Sequence, residues 1–176
     1  MSRSPQLEST FRAWLRDHGG ILGKVTRSFA RSQADAADLR QEVLLQLWLS
    51  LPAYSGQSRS STWVYRVCLN TALTWNRNGE RRNRRIDPSA DPGALATLAR
   101  TPADNAGDTD LLETLYDAIR SLDGFDRSLV LLSLDGLPYR EIAEITGMTE
   151  NHVGVALTRA RKRLAHFLKG VTDELE

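Results

Sequence analysis

Residues 137–153, LPYREIAEITGMTENHV, decide the fold of the second half of the chain. Ala143 is small enough to let a second helix approach closely, and Gly147, four residues later, suits a tight turn with a positive φ. Thr149 can cap the next helix, and Val153 can pack back against Ala143. This spacing is typical of a helix-turn-helix. An ordinary helical hairpin with a glycine cap is the alternative.

The helix after this turn is basic. Residues 151–171 contain five basic residues and no acid. A helix-turn-helix places its second helix in the major groove of DNA, where N-terminal residues contact base edges and basic residues hold phosphates. The base-edge candidates are Glu150, Asn151 and His152, and the basic residues are Arg159, Arg161, Lys162 and Arg163. Leu157, Leu164 and Phe167 are predicted to form the packed inner face. A solvated charged face is the alternative.

Most of the remaining chain is predicted to be helical, because apolar residues recur at helical spacing in four stretches. These stripes are Leu7, Phe11, Trp14 and Leu15; Leu39, Val43, Leu44, Leu47 and Leu51; Trp63, Val64, Val67 and Cys68; and Leu112, Leu115, Tyr116, Ile119 and Leu122. No segment shows the sustained period-two alternation that marks a strand. The sequence therefore predicts an all-α fold.

The composition changes abruptly between residues 86 and 110. This stretch contains three prolines, two glycines and five aspartates against one arginine. Prolines and glycines break helices and the acids favour solvation, so a flexible acidic linker is predicted, with one short helical turn at 95–99. The predicted organisation is two small helical domains at 1–86 and 110–170, a linker at 87–109 and a tail at 171–176.

A second informative segment, residues 35–48, reads DAADLRQEVLLQLW. Asp35 is predicted to cap a helix and Asp38 to lie in its first turn, where the helix dipole favours an acid. The polar face of this helix, opposite the leucines, holds Asp38, Gln41, Glu42 and Gln46. A capped and solvated helix without a partner is the alternative.

Residues 54–75, YSGQSRSSTWVYRVCLNTALTW, form a polar loop that enters a helix, with Ser61 or Thr62 as the predicted cap. Here Tyr54, Trp63, Tyr65 and Trp75 interleave with Arg59, Arg66 and Arg77, and Arg81, Arg82, Arg84 and Arg85 follow. Rings that stack on bases, beside arginines that hold the backbone, are what a surface for single-stranded nucleic acid needs. The alternative is that one or more rings, Trp63 first, belong to the core.

Composition excludes several classes of protein. There are 23 basic and 22 acidic residues, so a uniformly basic coat protein is excluded and the basic patches stay hidden in the net charge of +1. One cysteine and three histidines give no disulfide framework and no obvious zinc site, so no metal or cofactor is predicted. Without an apolar leader or a long apolar run, a cytoplasmic protein with no membrane insertion is expected.

These segments, in this order, resemble the extracytoplasmic-function (ECF) group of bacterial sigma factors, in the sigma-70 family. The resemblance covers residues 35–48, 54–85 and 115–167, and its motifs are DAADLRQEV, TWVYRVCLN, GLPYREIAE and RARKRL. No single motif is decisive, but the ordered set is specific. The resemblance implies a region 2-like domain, a region 4-like domain, and no catalytic residues, because the polymerase performs the chemistry.

The resemblance also implies partners and residue roles. Core RNA polymerase would bind through its β′ clamp helices and its β flap, and an anti-sigma factor is a further expected partner. Residues implied to face the clamp helices are Asp35, Asp38, Gln41 and Glu42. Those implied to bind and melt the −10 element are Tyr54, Ser58, Arg59, Trp63, Arg66, Asn70, Arg77, Arg81 and Arg82. Those implied to bind the −35 element are Thr149, Asn151, His152, Arg159, Arg161 and Lys162.

The chain departs from the family pattern at two places. Ala37 stands where an acid is common, which removes one charge from the polymerase-binding face. Gly154, Val155 and Ala156 stand where Lys-Ser-Arg is frequent, so three polar groups that would reach DNA are missing. We therefore expect −35 binding that is weaker, altered in sequence, or more dependent on Asn151, His152 and Arg159.

Two other classes of function stay open at this point. A stand-alone helix-turn-helix regulator would account for residues 110–170 but not for the segments before them. A helical hydrolase could use Asp35, Asp38 and Glu42 as metal ligands, but no histidine lies near them and the chain has no glycine-rich phosphate loop.

Overall fold

The computed structural model describes residues 5–86 and 108–173, with side chains described for 5–79 and 112–169. Within these ranges every regular element is a helix and no strand occurs, which confirms the predicted all-α fold. The chain divides into two compact units, Met1–Asp91 and Pro92–Glu176. This division falls in the predicted linker, 87–109. Residues 87–107, which include the helical turn predicted at 95–99, lie outside the described residues.

The first unit consists of α1 (Pro5–Phe29), α2 (Gln33–Ser50), a 3₁₀ turn (Leu51–Ala53) and α3 (Ser60–Ile86). The three α-helices pack against one another in all three pairs. Their shared core contains Trp14, Leu22, Val25, Leu39, Val43, Leu47, Leu51, Val64, Tyr65, Cys68, Leu69 and Ala72. The apolar stripes therefore predict the core-facing side of each helix. Tyr65 is a correction, because it lies in this core and not among the exposed aromatics.

The start of α2 differs from the prediction. Ser32, not Asp35, caps the helix, because the Ser32 hydroxyl accepts a hydrogen bond from the Asp35 backbone N–H at 3.1 Å. Asp35 is then the third helical residue, where an acid still faces the positive end of the helix dipole. Asp38 lies one turn further on, in the second turn and not the first.

The start of α3 also differs. The helix begins at Ser60, so neither Ser61 nor Thr62 caps it, and Thr62 is buried. The Ser60 hydroxyl instead forms a hydrogen bond with Nε2 of His18 at 2.9 Å, which joins the start of α3 to α1. On the inner side of α3, burial raises the pKa of the Cys68 thiol to about 12, so this cysteine stays a protonated core residue.

The second unit consists of α4 (Asp108–Ser121), α5 (Gly124–Leu134), α6 (Tyr139–Thr146) and α7 (Glu150–Asp173). Helix α7 packs against the other three. The core of the second unit contains Ile119, Leu122, Leu129, Leu132, Ile142, Ile145, Val153, Leu157 and Ala160. Phe167 is a correction to the predicted inner face, since 36% of it is exposed. After Ala160 no described residue of α7 is fully buried, so the helix continues past the core that it covers.

Helices α6 and α7 form the predicted helix-turn-helix. Gly147 ends α6 with a φ of 74°, and its N–H donates to the carbonyl of Ala143 at 2.9 Å. The Thr149 hydroxyl accepts a hydrogen bond from the His152 N–H at 3.3 Å, as expected of a cap. Val153 and Ala143 are both buried on the inner side of the motif. The sequence therefore predicts this turn residue by residue.

Candidate nucleic-acid and protein interfaces

A shallow groove of about 530 Å³ lies on the first unit between α2 and α3. It is lined by Asp38, Gln41, Glu42, Leu45 and Trp75. Three of the four residues predicted to face a protein partner are thus brought together here, and the fourth, Asp35, lies half-buried near the start of the same helix. We call this surface the α2 groove.

The outer side of α2 is also apolar. Leu45 and Leu49 lie one turn apart and each is 50% exposed. Glu42 precedes Leu45 by three residues and accepts a hydrogen bond from Nε2 of Gln46 at 2.9 Å. Exposed leucines beside carboxylates are a combination that suits a protein partner carrying both apolar and basic groups.

Five of the residues predicted to bind single-stranded DNA form one line along α3. Trp63, Arg66, Asn70, Arg77 and Arg81 follow one another at spacings of three, four, seven and four residues. Because a helix turns once every 3.6 residues, these positions share one side, and the buried residues Val64, Cys68 and Ala72 lie on the other sides. We call this line the α3 stripe. The side chains of Arg81, Arg82, Arg84 and Arg85 lie outside the described residues.

The loop before α3 is held by two aromatic contacts. The Tyr54 ring meets Trp14 edge-on at 4.9 Å between ring centroids, and meets Trp63 edge-on at 5.5 Å. Its hydroxyl donates to the carbonyl of Ser58 at 2.7 Å, and Trp63 Nε1 donates to the Ser50 hydroxyl at 3.4 Å. Tyr54 and Trp63 are therefore half-buried and fixed before any ligand arrives.

The remaining predicted contacts of this region are partly placed. Ser58 belongs to the loop and is half-buried, and Arg59, directly before α3, is exposed. Trp75 belongs to the α2 groove and not to the α3 stripe, which separates it from the aromatic set that the sequence suggested. Arg77 is exposed, and its Nη2 donates to the Thr74 hydroxyl at 3.3 Å.

The outer side of α7 carries a second line of exposed residues. Asn151, Val155, Thr158 and Lys162 follow at spacings of four, three and four residues, opposite the buried side of the helix. We call this line the α7 stripe. Thr149, His152, Arg159 and Arg161 are also exposed, so all six predicted DNA-binding residues of this unit lie on its surface.

The basic residues of α7 are not equivalent. Nη1 of Arg163 lies 2.5 Å from a carboxylate oxygen of Asp126 and 3.2 Å from one of Asp123. Burial and the nearby Asp123 raise the pKa of Asp126, while Arg163 and Arg159 oppose that rise. Arg163 therefore serves the fold of this unit.

The sequence does not predict the ion pairs of Arg163 with Asp123 and Asp126, nor a second set of contacts beside them. The guanidinium of Arg127 is buried, and its Nη2 donates to the carbonyls of Arg120 and Leu122 at 2.6 and 2.8 Å. It thereby satisfies backbone acceptors at the end of α4. Sequence alone offers no indication that Asp126 pairs with Arg163, because the two residues are 37 positions apart. Leu45, Leu49 and Val155 were also missed, although their positions on helix faces were available from the spacing.

Two negative findings concern the described part of the chain. It contains no group of three His, Cys, Asp or Glu side chains placed to hold a metal ion, so Asp35, Asp38 and Glu42 do not form the site that a hydrolase would need. In the same ranges, no helix has the length and apolar character required to cross a membrane.

Comparison with known families matches both halves of the chain. The model of Sigma-70 region 2 matches residues 14–82, and the model of Sigma-70, region 4 matches residues 112–164. The first match contains the α2 groove and the α3 stripe, and the second contains the helix-turn-helix. A stand-alone helix-turn-helix regulator does not account for the first match.

Relatives extend over most of the chain. RNA polymerase sigma factor YlaC of Bacillus subtilis is 30% identical over 165 residues, which cover 93% of this chain and 92% of that protein. The ECF RNA polymerase sigma-E factor of Haemophilus influenzae is 28% identical over 156 residues, covering 85% of this chain and 82% of the relative.

The fold is shared with a solved structure. The sigma factor RpoE of Bartonella quintana, crystallised with the anti-sigma factor NepR, matches with a TM-score of 0.72 at 23% identity, over 91% of this chain and 97% of that one. With two sigma regions matched in order and relatives that span the chain, this protein belongs to the ECF group of the sigma-70 family of RNA polymerase sigma factors.

Proposed function

We propose that the two units of this sigma factor perform separate parts of promoter recognition. The first, residues 1–86, docks core RNA polymerase and binds the −10 element, and the second, residues 110–170, binds the −35 element. Residues 87–109 connect them and residues 171–176 form a tail. The observation that carries the proposal is that the predicted contacts cluster on and around three surfaces: the α2 groove, the α3 stripe and the α7 stripe.

The α2 groove is the proposed docking site for the β′ clamp helices. Asp38, Gln41 and Glu42 supply charge and hydrogen bonds, and Leu45 adds apolar area at the same place. Interfaces of this mixed kind place apolar residues centrally and polar residues around them. Asp35 extends the acidic surface toward the start of α2. Because Ala37 stands where an acid is common in the family, this surface has one acid fewer, but it stays negatively charged.

The α3 stripe is the proposed site for the melted −10 strand. Trp63 is held by Tyr54 and Ser50, so its ring is positioned without cost at the moment of binding. Flipping a base costs a few kcal/mol, and stacking together with pocket contacts offsets that cost. The loop residues Ser58 and Arg59 stand beside it, and the arginines further along α3 follow the backbone.

The α7 stripe and its flanks are the proposed site for the −35 element. Asn151 and His152 lie in the first turn of α7, where side chains reach base edges, while Arg159, Arg161 and Lys162 hold phosphates. We expect Asn151→Ala or Arg159→Ala to impair promoter-specific transcription while core binding is retained. Loss of core binding in either variant would contradict the assignment of this unit.

The family also supports further proposals about partners. Core polymerase supplies the active site, so this chain has no catalytic activity, metal or cofactor of its own. Its β flap contacts the second unit, and the complex works in the cytoplasm. Because RpoE of Bartonella quintana was crystallised in complex with an anti-sigma factor, we propose that an anti-sigma factor also binds this chain.

Gel filtration with sigma-free core polymerase tests the docking site. Wild type should co-elute with core, and Asp38→Arg/Glu42→Arg should not, because two charges reverse inside the α2 groove. The matched control is Glu8→Arg/Asp17→Arg, which makes the same charge change on exposed positions of α1. It should co-elute like wild type.

Two outcomes would overturn the proposal. If wild type fails to bind core from its own organism, the chain does not act as a sigma factor under these conditions. If the α2 double variant co-elutes as well as the control, the docking site lies elsewhere on the chain.

A further inference from the structure

The middle of the α7 stripe is apolar. Val155 is 53% exposed, on the side of the helix opposite the buried Val153 and Leu157. The next residue of the stripe, Thr158, donates its hydroxyl hydrogen to the carbonyl of Gly154 at 2.9 Å, so it is not a donor for a ligand. Hydrogen-bond donors therefore stand only at the two ends of the stripe, at Asn151 and Lys162.

Helix α6 extends this apolar surface. The Tyr139 ring lies against Gly154, since a Cβ atom at position 154 would come within 3.3 Å of its Cε2 atom. Tyr139 is nevertheless 41% exposed. Tyr139, Gly154 and Val155 thus form one patch, in which an aromatic ring covers the residue before an exposed valine. We call it the apolar patch.

We propose that the apolar patch reads thymine in the −35 element, with the Val155 methyl groups packed against a thymine C5-methyl in the major groove. This inference rests on the proposed DNA-binding role of α7. Of the groups that bases present in the major groove, the thymine methyl is the only apolar one. A valine against any other base edge would bury a donor or acceptor without a partner, which is unfavourable.

The surroundings favour DNA over a protein as the occupant. Arg159, Arg161 and Lys162 are exposed on the same helix, and residues 151–171 include no acid. This charge complements phosphates on both sides of a groove. The α7 residues of the patch, Gly154 and Val155, also lie in the first two turns of that helix, the part of a recognition helix that meets base edges.

Replacement of thymine by uracil isolates the methyl group. Holoenzyme, formed from this chain and core polymerase, is used to select binding sequences from a duplex library of random sequence. Positions whose preference changes in Asn151→Ala define the −35 element. Each thymine there is then replaced singly by deoxyuridine, which lacks only the methyl group.

Wild-type holoenzyme should lose about fourfold in affinity at one of these positions, the effect expected from burial of one methyl group. Holoenzyme with Val155→Ala should bind the thymine and uracil duplexes equally. Leu134→Ala, which truncates another exposed apolar residue of the same unit, should discriminate like wild type. Val155 is exposed, so its truncation leaves the core unchanged.

Three outcomes would show which part of the inference is wrong. If the holoenzyme selects no sequence at all, the proposed function fails and the inference with it. If it selects a −35 element but Val155→Ala keeps the full uracil penalty, only the thymine contact is wrong. If Val155→Ala weakens core binding and leaves DNA selection intact, the patch contacts a protein.

Discussion

Helices α3 and α7 solve a similar problem in different ways. Each carries a line of exposed or half-buried residues opposite a buried side, and each is proposed to meet DNA. On α3 the central aromatic, Trp63, is fixed by a ring contact with Tyr54 and a hydrogen bond to Ser50. On α7 the central residue, Val155, is apolar and 53% exposed, and the helix that carries it is positioned by the turn at Gly147.

The contrast between Trp63 and Val155 shows where binding residues also stabilise the fold. A melted strand offers unstacked bases, so the protein needs large rings held in place, and those rings become part of the packing. A duplex groove already has a fixed shape, so short side chains on a positioned helix suffice. Truncation of Trp63 on α3 should therefore affect folding and DNA binding together, whereas truncation on the α7 stripe should affect DNA binding alone.

The largest expected effect comes from the buried sides of α3 and α7. Leu69→Ala on α3 and Leu157→Ala on α7 remove buried leucines and should each lower the free energy of unfolding by about 2–5 kcal/mol. The neighbouring exposed substitutions, Asn70→Ala and Thr158→Ala, should change it by less than about 0.5 kcal/mol. Urea unfolding measures all four. Equal losses within either neighbouring pair would refute the assigned helix faces.

The second prediction addresses the outer side of α3. Trp63→Ala should weaken promoter opening about 5- to 150-fold, which corresponds to the loss of one stacked base at about 1–3 kcal/mol. It should also lower the stability of the first unit, because the contact with Tyr54 is lost. Permanganate reactivity of unstacked thymines measures opening, and thermal unfolding measures stability.

Arg66→Ala is the control for this comparison, because it lies on the same stripe three residues away. It should impair opening with a smaller loss of stability than Trp63→Ala. If Trp63→Ala impaired folding but left opening unchanged, Trp63 would be a core residue only.

The third prediction distinguishes the basic residues of α7. Arg163→Ala should lower the free energy of unfolding by about 1–2 kcal/mol at pH 8, because it leaves the buried carboxylate of Asp126 without its main cation. Lys162→Ala should lower DNA affinity and leave stability nearly unchanged. Chemical unfolding and DNA binding of the two variants give the comparison.

The pH dependence of this loss follows from Asp126. Its pKa is raised in the folded state, so the folded protein binds this proton more readily than the unfolded chain does, and the cost of the buried charge falls as pH falls. The penalty of Arg163→Ala should therefore be smaller at pH 5 than at pH 8. In the background of Asp126→Asn, the pH dependence of that penalty should disappear; its persistence would point to another acid.

Local patterns predicted much of the fold, and long-range pairs were not predictable. Gly147 and Thr149 act as the sequence suggested, because turn and cap geometry depends on a few adjacent residues. Aspartate and serine both suit the cap of α2, so residue type alone does not separate Asp35 from Ser32, whereas the Ser32-x-x-Asp35 spacing favours the serine that caps the helix.

The binding surfaces divide in the same way. The spacing of Trp63, Arg66 and Asn70 predicts a shared helix side from sequence alone. Helical spacing also sets Trp75 apart from the α3 stripe, but its place in the α2 groove depends on how two helices pack, which no local pattern contains. The domain boundaries and the roles of the site residues stay predictions until the docking and binding experiments are done.

The smallest expected effect concerns Gly154, where helix propensity and packing oppose each other. Alanine should gain about 1 kcal/mol of propensity over glycine in a helix interior. Its Cβ would lie 3.3 Å from Cε2 of Tyr139, so the ring must shift by a few tenths of an ångström and part of that gain is lost. In the background of Tyr139→Ala the crowding is absent, and Gly154→Ala should stabilise by the full amount.

Thermal unfolding of the four proteins in this double-mutant cycle measures the coupling. A coupling of zero would mean that the ring does not restrain position 154, and the glycine would then be explained by close approach to DNA instead of by packing against Tyr139.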